Sequence, residues 1–86
     1  MAYEIKIDRK QQKNLDSLDK ATARRIHAFL TVLSIDPYPP GALKVANSPY
    51  FRIRIGDYRV VYLVHHNVLV VQIVRIGHRS AVYRGL

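Results

Sequence analysis

Arginine, histidine and tyrosine gather in the second half of this 86-residue chain in a pattern that suits phosphate chemistry. From Phe51 onward the basic residues are Arg52, Arg54, Arg59, Arg75, Arg79 and Arg84, with no lysine, and the single acid is Asp57. A guanidinium offers a planar fork of donors that grips phosphate in two places, whereas an ammonium is a point charge. His78 and Tyr83 stand on either side of Arg79 and add an imidazole and a phenol. The C-terminal half therefore reads as a place to hold phosphates.

The segment around Gly56-Asp57 fixes where three of these arginines point. Tyr50 to Ile55 and Tyr58 to His65 are rich in branched and aromatic residues and read as strands joined by a short hairpin. A two-residue turn sets Ile55 against Tyr58, Arg54 against Arg59, Ile53 against Val60 and Arg52 against Val61. Alternation then gives one apolar face, Phe51, Ile53, Ile55, Tyr58, Val60 and Tyr62, and an opposite face carrying Arg52, Arg54 and Arg59. Like charges directly opposed across strands destabilise a sheet, by roughly 0.2–1 kcal/mol. An anion landing between them removes the repulsion and gains charge-assisted hydrogen bonds. A solvated face kept soluble by charge is the plainer account of the same residues.

A third strand, Val68 to Ile76, follows His66-Asn67. If that is also a two-residue turn, Val74, Ile76 and His78 share the face of Arg52, Arg54 and Arg59. Gly77 lets the chain bend there, so His78, Arg79 and Tyr83 are delivered to the arginine cluster.

The elements that must support this face lie upstream. Residues 2–7 alternate, with Tyr3, Ile5 and Ile7 on one side, and read as a first strand. Asp8 offers an N-cap with Gln11 three residues on, in the manner of a capping box, for a short helix ending near Ser17. Asp19 caps a second helix whose Ala23, Ile26, Phe29, Leu30 and Leu33 form one apolar stripe, with Lys20, Arg24 and Arg25 away from its centre. Asp36-Pro37 closes that helix, because the residue before proline is pushed from the helical region. Pro37 to Gly41 is a loop. The order is strand, helical hairpin, then a three-stranded antiparallel meander: an α+β fold with the helices on one sheet face. The whole of 1–86 is expected to be a single domain.

Composition narrows the function. Fourteen Lys and Arg against six Asp and Glu give a formal charge of +8, which points to a polyanionic partner, nucleic acid or an acidic protein. There is no cysteine, hence no disulfide and no thiolate metal site. The longest apolar-rich run, Val60 to Ile76, is broken by polar residues, so a soluble protein is expected. Metal ligands are poorly supplied: Asp57 sits at a turn tip, and His65 and His66 as strand neighbours would point apart. No metal or cofactor is expected.

Taken together, Tyr58-Arg59-Val60-Val61-Tyr62, Val70-Val71, Ile76-Gly77-His78-Arg79 and Val82-Tyr83 resemble the C-terminal half of the RelE/ParE toxin superfamily. The opening Met-Ala-Tyr-Glu-Ile and the Leu-Asp-Ser-Leu-Asp-Lys stretch are similar to its N-terminal half, so the resemblance spans nearly the whole chain. The RelE branch fits better. That resemblance implies a toxin of a type II toxin–antitoxin system, a metal-independent endoribonuclease that cuts mRNA on the ribosome in the cytoplasm. It also implies silencing by an acidic, RelB-like antitoxin. By position, the branch's site residues fall on Arg52, Arg54, Arg59, Arg79 and Tyr83. The first two are lysines in the best-known members, and the spacing from Arg79 to Tyr83 is shorter than in some.

The implied reaction is attack of an RNA 2′-hydroxyl on the adjacent phosphate, leaving a 2′,3′-cyclic phosphate and a 5′-hydroxyl. Arg52, Arg54 and Arg59 suit stabilisation of the crowded phosphorane. Tyr83 is the candidate base. Arg79, which keeps its proton, suits charge stabilisation, and His78 is the candidate proton donor to the leaving oxygen. Two other readings stay open: a ParE-like toxin acting on DNA gyrase, and a non-catalytic RNA-binding module. The second would usually place aromatics beside the basic residues for base stacking, whereas most tyrosines here fall on the expected core face.

Overall fold

In the computed structural model, which describes residues 2–83, the alternating N-terminal residues form an edge strand, β1 (Glu4–Ile7), with Ile5 and Ile7 turned to the core. Asp8 then caps α1 (Arg9–Asp16), its side chain accepting the Gln11 N–H at 2.8 Å. Asp19 caps α2 (Lys20–Ile35) in the same way through Thr22 N–H. Asp36 ends α2 in an extended conformation ahead of Pro37, as its place before proline requires. After the proline loop come β2 (Leu43–Lys44), β3 (Phe51–Ile55), β4 (Tyr58–His65) and β5 (Val70–His78).

The sheet runs β1-β5-β4-β3-β2, antiparallel except that β1 lies parallel to β5. Both helices pack on one face. Leu15, Ile26 and Leu33 meet Ile53, Ile55, Val60, Tyr62, Val71, Ile73 and Ile76 there, all essentially fully buried. The expected α+β order holds, with the meander as β3, β4 and β5. The two-residue β2 is an addition: Leu43 and Lys44 are both exposed, so no alternation marks them as a strand.

Three details of the sequence reading are corrected. Gln11 does not reach back to complete a capping box. It is buried, and its Oε1 accepts Ile76 N–H at 2.7 Å and Asn14 Nδ2 at 3.1 Å. Pairing with β1 stops at Ile73, so the backbone of Ile76 needs another acceptor, and α1 supplies it.

The β4–β5 turn is not two residues. His65 pairs with Val70, so residues 66–69 make the turn, with Leu69 at φ 54°. Two extra residues keep the alternation unchanged; a bulge does not. Pairing steps from Tyr62–Ile73 to Val61–Arg75, leaving Val74 as the extra residue. Past it the faces exchange. Arg75 and Gly77 now lie opposite Val61 and Arg59, while Ile76 and His78 lie opposite Val60 and Tyr58. The expectation that Ile76 and His78 share the arginine face is therefore overturned by one inserted residue.

Candidate functional site

The β3–β4 hairpin has the expected register. Arg54 pairs with Arg59, Arg52 with Val61, and Ile55 with Tyr58, across the two-residue turn Gly56-Asp57. Gly56 takes φ +61°, a conformation that an L side chain resists, which is why glycine opens this turn. Alternation does the rest: Ile53, Ile55, Val60 and Tyr62 are buried beneath the helices. Arg52, Arg54 and Arg59 therefore stand on the outer face of the sheet.

These three arginines are not equivalent. Arg54 is exposed. Arg59 is only 8% exposed, and its Nη1 donates to Gly56 O at 3.2 Å and Tyr58 O at 3.0 Å. Its guanidinium is thus pinned to the turn as a fixed cation. Arg52 is half-buried, and its Nη1 is buried with no hydrogen-bond partner among the described residues. A buried donor left without an acceptor costs about 1–3 kcal/mol. An anionic oxygen brought to this face would remove that cost.

The bulge brings Arg75 to the same face, opposite Val61, a placement that the sequence reading missed. Only the unforeseeable extra residue at Val74 decides it. Val61 is fully buried between Arg52 and Arg75, whose long apolar stems suit lying along it.

The tail leaves β5 by a different route from the one expected. Gly77 stays within β5 rather than bending it. A Cβ at Gly77 would lie 3.7 Å from Val82, so the missing side chain leaves the space in which Val82 packs, 1% exposed. Ala81 and Val82 N–H groups both donate to His78 O, closing a turn ahead of Tyr83, which is exposed. Arg79 N–H donates to Asp57 O at 2.8 Å, tying the start of the tail to the hairpin tip. Arg84, counted among the cations of this half, lies outside the described residues.

His78 is not brought to the arginine face. It pairs with Tyr58 and packs edge-on against that ring, centroids 5.7 Å apart. Its Nδ1 lies 2.9 Å from Ser80 Oγ and accepts Ser80 N–H at 3.3 Å. It organises the tail turn.

The other histidines of β4 and its turn are engaged elsewhere. His65 Nε2 lies 3.0 Å from Gln72 Oε1, and His66 bridges Tyr3 and Tyr38 through its two ring nitrogens. The helix layer contributes one cation that the sequence reading set aside: Arg25 Nη1 lies 3.5 Å from where a Cβ of Gly56 would stand, against the hairpin tip.

A family model described as ParE toxin of type II toxin-antitoxin system, parDE, matches residues 5–83. No curated protein sequence matches. Among solved structures, the chain is similar to the archaeal RelE of the RelE–RelB complex from Pyrococcus horikoshii OT3. They share 33% identity over 94% of this chain and 99% of that one, with a TM-score of 0.83. A mutant of the toxin RelE from E. coli in the free state is 22% identical over 94% of this chain and 87% of that one, TM-score 0.79. The toxin–antitoxin complex RelBE2 of Mycobacterium tuberculosis gives 23% identity over 92% of this chain and 100% of that one, TM-score 0.76.

Proposed function

As this chain belongs to the RelE/ParE superfamily of type II toxin–antitoxin toxins and is of the RelE type, we propose that it is an mRNA endoribonuclease. It acts as one domain over residues 1–86, on the ribosome and in the cytoplasm, and an acidic antitoxin holds it silent. One observation carries the reading. Arg54 and Arg59 oppose each other on the outer sheet face, beside an Arg52 nitrogen that is buried without an acceptor among the described residues. The opposed cations and the unpaired donor cost the fold energy, and a phosphate placed there offsets that cost.

The RNA 2′-hydroxyl attacks the adjacent phosphorus as its proton passes to Tyr83 acting as base. The P–O5′ bond then breaks, giving a 2′,3′-cyclic phosphate and a 5′-hydroxyl. Arg52, Arg54 and Arg59 hold the non-bridging oxygens as charge builds on them, with Arg59 preorganised by its bonds to the turn. Arg79, anchored at the tip through its backbone, stabilises charge at the departing oxygen. His78, on the other face beside Tyr58, is the weaker candidate for the proton donor; a solvent proton serves the same step.

The test is cell-free translation with mRNA ends mapped by primer extension. Wild type should cut within translated codons, and folded Arg54→Ala and Tyr83→Phe variants at matched levels should not. Intact mRNA with wild type overturns the reading. A second reading, poisoning of DNA gyrase, draws on the ParE description of the matching family model. A DNA supercoiling assay separates the two.

A further inference from the structure

We propose that Arg25 extends the phosphate-binding face around the hairpin tip, so that the substrate RNA leaves the sheet over Gly56 with its neighbouring phosphate on the helix layer. This rests on the ribonuclease reading and goes beyond it, since it assigns a binding role to a residue of α2.

Two guanidiniums from opposite layers converge on one glycine. Arg59 comes from the outer sheet face, its Nη1 3.2 Å from Gly56 O. Arg25 comes from α2, its Nη1 3.5 Å from the place of a Gly56 Cβ. Among the described residues no hydrogen bond or ion pair engages the Arg25 side chain, and Asp57, the acid at the tip, forms no ion pair with either cation. Bringing two cations together at an exposed turn costs energy unless a third party carries negative charge between them.

The geometry also gives a path. Arg54 and Gly56 are two residues apart along the strand, roughly 7 Å, the scale of one nucleotide step. Gly56 has no side chain and cannot readily acquire one at φ +61°, so the tip stays low between the two cations. Beyond Arg25 the exposed face of α2 continues with Arg24 and Lys20, which lie one turn apart. Asp16 and Asp19 bound this face at the α1–α2 junction, and Asp19 is already engaged in capping α2. The Arg25 guanidinium is thus the helix-layer cation that a strand crossing the tip meets. A single strand fits this path better than a duplex, because the turn is one hairpin wide.

The test is fluorescence anisotropy with labelled 2′-O-methyl RNA, which cannot undergo 2′-hydroxyl attack, as a dinucleotide and as a hexanucleotide. Arg25→Ala should bind the hexanucleotide about tenfold more weakly and leave the dinucleotide unchanged. The log–log salt slope for the hexanucleotide should fall by about 0.7, the share of one single-strand phosphate contact. Arg25→Lys should recover most of the loss, and Arg25→Gln, which keeps the stem over the turn, should not. Arg54→Ala should weaken both probes. If Arg25→Ala leaves the hexanucleotide unchanged, or weakens both probes alike, while Arg54→Ala weakens both, the path over the tip is wrong and the sheet-face reading stands. A wild type that binds neither probe overturns the path over the tip, while the cell-free cleavage assay decides the ribonuclease reading separately.

Discussion

At the scale of single residues, the arginine face sets like charges against each other, and Arg54 shows it most directly. Its partner across the strands is another cation, Arg59, which is fixed by two backbone carbonyls and cannot swing away. Arg54→Ala should therefore leave the thermal midpoint unchanged or raise it slightly, by no more than about 0.5 kcal/mol at an exposed site. Cleavage should fall by at least about 10²-fold, the usual loss when one preorganised charge is removed from a developing oxyanion. Calorimetry beside primer extension checks both halves. A destabilised Arg54→Ala would mean that the side chain supports the fold. The opposed pair was legible in the sequence because Gly56-Asp57 allows a two-residue turn and alternation then leaves no freedom. The orphaned nitrogen of Arg52 and the pinning of Arg59 were not legible. Both depend on where a long side chain comes to rest, which spacing does not fix.

At the scale of elements, the decisive feature is the extra residue at Val74. A strand was readable from Val68 to Ile76 and lies at Val70–His78, and both helix caps were readable too. The face of each residue past Val74 was not, because one inserted residue reverses every later assignment and nothing in Ile73-Val74-Arg75 announces it. Gly77 acts within that reversed register as a seat for Val82. Gly77→Ala should be tolerated, since its Cβ meets Val82 at an ordinary 3.7 Å. Gly77→Val should push Val82 out and misplace Tyr83, lowering cleavage while the far-ultraviolet circular dichroism stays native.

Gln11 is a second case in which a helix residue serves the sheet. Gln11→Leu fits the volume but leaves the Ile76 amide without its acceptor, and should cost about 2 kcal/mol in a denaturant titration. Asp19 gives a pH signature. The Thr22 side chain and backbone hydrogen bonds hold its carboxyl below the ordinary 3.8. A depressed carboxyl contributes stability that is present above the unfolded value and lost as pH falls through the folded one. Wild type should thus lose helicity on acidification below about pH 4, and Asp19→Asn should flatten that part of the profile.

At the scale of the whole molecule, charge and topology act together. Much of the positive charge lies on the arginine sheet face and at the exposed helix positions Arg9, Lys10, Lys13, Lys20, Arg24 and Arg25. An acidic antitoxin that covers either should bind at least about tenfold more weakly at 0.5 M salt than at about 0.05 M, as screening shortens the reach of exposed charges. Titration calorimetry reads this directly; an affinity indifferent to salt would point to an apolar seat instead. The antitoxin itself was legible only through family resemblance, since a basic surface does not name its partner.

The parallel pairing of β1 with β5 has a consequence in time. Among the described residues, β1 has one sheet neighbour, and it is β5, which follows the other four strands in the chain. During synthesis Ile5 and Ile7 must wait for Val70–Ile73 before their sheet neighbour arrives, and Tyr83 follows later still. Such a chain cannot assemble piecemeal from its N-terminus. The sheet that presents the arginine face closes only after β5 has been made.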